Sequence, residues 1–117
     1  VATGLMVQEA LKAKEELEKL GINPTIVNIH TIKPMDSDLL IRLAQEHDVI
    51  VTCEEHSVMG GLGSAVSEVL APHNLCKIFM LGVQDTFGES GTPDALLEKY
   101  GLTAKHVVEM TLKALGK

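Results

Sequence analysis

The chain is poor in aromatic residues. Phe79, Phe87 and Tyr100 are the only ones among its 117 residues, and tryptophan is absent. Its core must therefore be aliphatic, assembled from Leu, Ile, Val, Ala and Met. Positive charge is scarce too. Ten Lys and Arg face sixteen Asp and Glu, for a formal net charge of −6, and the single arginine is Arg42. Nucleic-acid binders neutralise phosphates with a basic patch, and nothing in this sequence resembles one, so a nucleic-acid partner is excluded. No apolar run approaches the roughly 20 residues of a bilayer-crossing helix, so no membrane partner is expected either. The opening VATGLMVQEA has no basic stretch with an apolar one behind it. No signal peptide is therefore expected, and the expected location is cytoplasmic. Cysteine is limited to Cys53 and Cys76, each in or beside an apolar, strand-like run. They read as free, buried thiols rather than as a disulfide or metal ligands.

What is present is a regular alternation. The length suits one domain, 1–117, with one core. VAT (1–3) reads as the end of a strand; a domain rarely starts inside a strand, so the chain is expected to be cut from something longer. Residues 5–20 carry helical spacing, with Met6, Ala10, Ala13, Leu17 and Leu20 on one stripe. Glu9, Lys12, Glu15, Glu16 and Lys19 take the other face, with Glu15 and Lys19 as an i,i+4 pair. Gly21 supplies the left-handed residue that ends the helix. Asn23-Pro24 is a turn and TIVNIH (25–30) a strand. Pro34 holds Lys33 extended. Asp36 caps a second helix carrying Leu39, Leu40 and Leu43, which runs out near His47-Asp48. VIVTCEE (49–55) is a strand, apolar from its start as one covered on both faces should be. After the glycines comes a helix with Leu62, Ala65, Val66, Val69 and Leu70, ended by Pro72. KIFMLGV (77–83) is the next strand and 84–91 a loop. Thr92-Pro93 opens a short helix over about 93–100, stopped by Gly101. Thr103 caps a last helix that turns Val107, Val108, Thr111, Leu112 and Leu115 inward.

Buried strands alternating with amphipathic helices predict an α/β fold: a three-layer α/β/α sandwich around a mixed, mostly parallel sheet. In such sheets ligand sites form beyond the carboxyl ends of the strands. That rule gathers Gly4, the stretch His30–Lys33, the stretch Glu54–Gly63 and the stretch Asp85–Gly91 onto one rim.

The chemistry of this rim admits several readings. Gly60, Gly61 and Gly63 precede a helix whose amides could hold a phosphate, with Asp85 for a ribose hydroxyl. The dinucleotide fingerprint G-x-G-x-x-G fails, because counting from Gly61 its last position is Val66, and a P-loop lysine is missing. Glycines there serve equally for positive φ or close packing. Cys53 with His56 suggests a thiolate pair, but strand alternation points them apart and two adjacent acids would raise the thiol's pKa. Glu54 and Glu55 offer general acid–base groups; the structural alternative has one hydrogen-bonded to loop amides and the other solvated. His56 is a proton shuttle or a loop anchor. His47, His73 and His106 read as surface residues. Phe87, isolated among loop acids and glycines, either meets a partner or folds back as a lid.

Four segments together, VATGLMV, IHTIKPMD, VTCEEHSVMGGLGSAV and DTFGESGTPDALLEKYGL, closely resemble the C-terminal domain of transketolases over essentially the whole chain. The form split into separate N- and C-terminal polypeptides is the nearest likeness. Similar domains close the β subunits of 2-oxo acid dehydrogenases and the deoxyxylulose-phosphate synthases. TIKP and FGESG favour transketolase.

The resemblance implies transfer of a two-carbon ketol unit between sugar phosphates, as in the pentose phosphate pathway, by thiamine diphosphate with Mg²⁺. It also implies that this cofactor sits between two other domains of a dimer, so that this chain holds no cofactor and is inactive alone. The family's pyrophosphate segment begins with GDG, which does not occur here. The glutamate that activates the cofactor belongs to another domain and is not assigned to Glu54 or Glu55. The implied sheet has strand order 1-3-2-4-5, its first strand antiparallel and mostly absent here. The implied partners are the cofactor-binding polypeptide and a second copy in the full assembly. No catalytic, cofactor or metal residue is expected. His30, Lys33, Glu54, Glu55, His56, Gly60, Gly61, Gly63, Asp85 and Phe87 form a candidate rim, serving an interface or an effector. An effector-binding module and a docking surface for a peripheral-subunit-binding domain are the competing readings.

Overall fold

The computed structural model describes residues 1–29, 36–57, 61–73, 75–83 and 101–117, with the backbone alone for 55–57 and 83. Six regular elements are defined there: α1 (Met6–Lys19), α2 (Ser37–Glu46), β1 (Val49–Ser57), α3 (Leu62–Leu70), β2 (Lys77–Val83) and α4 (Ala104–Ala114). The expected helix over 93–100 lies outside the described residues.

β1 and β2 pair in parallel, Val49 opposite Lys77 and Cys53 opposite Leu81. On the other side of β1, Ala2 bridges both Cys53 and Asn28, again in parallel. Hydrogen bonds from Ala2 N to Val27 O (2.9 Å), Ile29 N to Ala2 O (3.0 Å), Cys53 N to Val1 O (2.8 Å) and Thr3 N to Cys53 O (3.2 Å) make this ladder. The spatial order is therefore 25–29, 1–3, β1, β2. This is the expected 3-2-4-5 run of the five-stranded order. Of the segments 1–3 and 25–30, expected as strands, the described parts, 1–3 and 25–29, are reduced to isolated bridges.

Two apolar clusters cover the two faces of the sheet. Met6, Ala10 and Ala13 of α1 and Val107 of α4 pack with Ala2, Cys53, Leu81 and Leu102 on one. Leu40 and Ala44 of α2 and Leu62, Val66 and Leu70 of α3 pack with Ile29 and Ile50 on the other. Ile50 and Cys53 thus point to opposite faces, as their spacing on an extended strand requires. Each fully buried leucine or methionine here contributes roughly 1.5–3 kcal/mol. The three layers follow from this arrangement.

The helix ends show which local signals were used. At the end of α1, Gly21 has φ 82°. Its N–H donates to Glu18 O (3.1 Å), and Ile22 N–H donates to Leu17 O (2.9 Å). This pair of bonds satisfies two terminal carbonyls and needs the left-handed residue glycine tolerates. Asp36 accepts from Leu39 N–H (3.1 Å) and caps α2. Thr103 stands at the N-cap of α4 without a side-chain cap bond. Its hydroxyl instead pairs with His106 Nδ1 at 2.7 Å.

Four details of the helix reading are corrected. Leu20 is 58% exposed, because the chain has already left the helical stripe at the C-cap. Glu9 is buried and reaches out to Lys12 (3.4 Å). Lys19 pairs with Glu16 at 3.3 Å rather than with Glu15, an exposed contact of little energetic weight. On α4 only Val107 is buried; the rest of its expected inward stripe is half-buried.

Candidate functional site

Parallel pairing brings the carboxyl ends of the strands to one edge. Thr3, with Gly4 after it, is bonded to the carbonyl of Cys53, one residue before Glu54. Ile29 exits beside Ala2, and Val83 beside Ser57. Among the described residues this edge carries Gly4, Glu54 and, through its bond to Glu54, Gly63. His30, Lys33, Gly60, Asp85 and Phe87 lie outside the described residues, as do the side chains of Glu55 and His56.

Glu54 is the centre of what is described. It is 1% exposed, on the α3 face of β1. Its Oε1 accepts from Leu62 N–H at 2.9 Å and its Oε2 from Gly63 N–H at 2.8 Å. These are amides of the first turn of α3, which have no partner inside the helix. The residue at the N-cap is Gly61, φ −99°, which has no side chain to cap with. A carboxylate eight residues back in the sequence replaces it. The bonds are charge-assisted, and the positive end of the helix dipole favours the negative charge. Of the alternatives for Glu54 and Glu55, the one with a glutamate bonded to loop amides is realised by Glu54. A base must reach a substrate proton, whereas both Glu54 oxygens are buried and already engaged.

Gly63 has the close-packing role rather than the positive-φ one. A Cβ on Gly63 would lie 2.5 Å from Met80 Sδ and 2.9 Å from Thr52 Oγ1. Only a glycine lets α3 approach the sheet closely enough for Glu54 to reach its amides. Thr52, fully buried beneath this contact, has no partner for its hydroxyl among the described residues. The sequence carries no signal for that orphan, because threonine is an ordinary strand residue.

β1 is irregular at the site. Cys53 opposes Leu81 and Ser57 opposes Val83, so four steps on one strand match two on the other. Such bulges re-aim side chains next to functional regions. Strand alternation therefore separates Cys53 from Glu54, but it does not carry through to His56. Cys53 is buried in the cluster under α1 and α4. Burial pushes its thiol up, the α-amino group opposes this and the charge of Glu54 adds to it. That is the opposite of an activated nucleophile. Cys76 is half-buried rather than buried, and burial raises its thiol as well.

Two of the three histidines read as surface residues, His47 and His106, depart from that reading. His47 is half-buried, with Nδ1 2.9 Å from Leu43 O and Nε2 3.1 Å from Thr25 Oγ1. A carbonyl only accepts, so Nδ1 carries the proton and closes the end of α2. His106 is half-buried against Thr103. His73 is exposed. A histidine in a helix's last turn is a known capping signal, and by it His47 was recognisable. His73 precedes Cys76 by three residues, a spacing metal sites can use. Among the described residues, however, no group of three His, Cys, Asp or Glu comes together to hold an ion.

These residues do not fit thiamine diphosphate with Mg²⁺. The helix end that would receive a pyrophosphate, the first turn of α3, is filled by Glu54, and no carboxylate cluster for the ion exists among the described residues. The same two bonds remove the amides that a phosphate-binding reading of Gly61 and Gly63 requires. No helix among the described residues is long and apolar enough to cross a membrane.

Comparison with known proteins agrees with this geometry. The sequence profile of the family described as transketolase, C-terminal domain, matches residues 1–107. The chain is 48% identical over 108 residues to the 6-deoxy-6-sulfo-D-fructose transketolase subunit of a Clostridium strain, covering 92% of this chain and 34% of that one. It is 46% identical over 108 residues to 1-deoxy-D-xylulose-5-phosphate synthase of Neisseria gonorrhoeae, covering 92% of this chain and 16% of that one. A solved structure, a split gene transketolase as an inactive beta4 tetramer, superposes with a TM-score of 0.92 at 50% identity, covering 98% of this chain and 38% of that one. The chain thus spans well under half the length of these proteins, from 16% to 38%. It belongs to the transketolase C-terminal domain family.

Proposed function

We propose that this chain, as a single domain over 1–117, is the closing part of a thiamine-diphosphate-dependent transketolase. The full enzyme moves a two-carbon ketol unit from a ketose phosphate to an aldose phosphate in the cytoplasm. This part serves assembly and stability, with regulation as a further role, and leaves cofactor binding to the remaining two thirds. The full assembly is a homodimer in which the cofactor-binding polypeptide is the direct partner. The carrying observation is the family match over residues 1–107, joined to relatives roughly three times as long. The position of Glu54 supports it, because the helix end that follows the glycine loop, at α3, is closed by the chain itself.

Reconstitution tests this reading. The chain alone should transfer no ketol unit, and mixing it with the cofactor-binding polypeptide should yield transfer between sugar phosphates. If the mixture gains nothing over the cofactor-binding polypeptide alone, the reading fails. A second reading, a part of a deoxyxylulose-phosphate synthase, is favoured by the 46% identity to that enzyme. Formation of 1-deoxy-D-xylulose 5-phosphate by the same mixture, without ketol transfer, would select it.

A further inference from the structure

We draw no further inference here: the strongest candidate, the cavity of about 290 Å³ between α1, α4 and the amino-terminal ends of the strands, lined by Ala13, His47, Asp48, Val51, Cys53 and Val107, carries none because nothing in the structure shows what fills or covers it.

Discussion

Glu54 shows how one side chain can serve as a fastening rather than a reagent. A buried carboxylate is costly unless its oxygens are bonded, and here each oxygen takes one backbone amide of α3. Glu54→Gln keeps the shape but presents an amino group to one of those amides, leaving two donors face to face. The substitution should lower unfolding free energy by about 2–3 kcal/mol in urea titrations. A loss under about 0.5 kcal/mol would mean that the clamp is not used. Cys53 gives a prediction with a definite sign. Its thiol is held above the ordinary value of 9.0, so above that pH the unfolded chain has released a proton that the folded chain retains. The folded state then binds more protons, and unfolding free energy falls as pH rises. Stability from this group is intact below about pH 8 and declines above about pH 9 toward the raised folded value, by at most about 1.4 kcal/mol per pH unit. Urea titrations across this range should show the decline in the native chain and a shallower one in Cys53→Ala, where Cys76 alone remains. Equal slopes would contradict it. At this scale the sequence was legible where a residue acts through its neighbours in the chain. The Leu62 and Gly63 amides as Glu54's partners, and the tight seat of Gly63 on Met80 and Thr52, arise only when α3 folds back onto the sheet.

At the scale of elements, punctuation decided most boundaries. Asp36, Gly21 and Pro72 act through local backbone chemistry, and the helices they bound begin or end where that chemistry places them. Asp36→Ala should cost about 1 kcal/mol, measured as a shift in the urea midpoint, because Leu39 N–H loses its acceptor. An unchanged midpoint would show that α2 is held by its packing on α3 alone. Thr103 shows the limit of such reading, since its position was legible and its bond to His106 was not. The two-step slip of β1 between Cys53 and Ser57 was likewise invisible, because a bulge leaves no mark in an apolar-polar pattern. Segments 1–3 and 25–30 carried good strand patterns, and the described residues 1–3 and 25–29 became isolated bridges. Pattern reports what a segment buries; pairing length depends on what lies beside it.

At the scale of the whole molecule, the parallel pairing of the described strands with helices on both faces was readable from the alternation of elements. Its strand order came from resemblance rather than from periodicity. Parallel strands then account for the common edge on which Gly4 and Glu54 meet, with Ile29 and Val83 leaving the sheet beside it. Glu54 fills the site on that edge where an anion would bind, and the chain is about a third as long as its transketolase relative. On the reading proposed above, a domain of this build closes a larger enzyme and leaves cofactor binding to the rest of it. Calorimetric titration of the isolated chain with thiamine diphosphate and Mg²⁺ tests that claim most directly. No heat beyond dilution is predicted at any ratio, and saturable uptake approaching one cofactor per chain would contradict it.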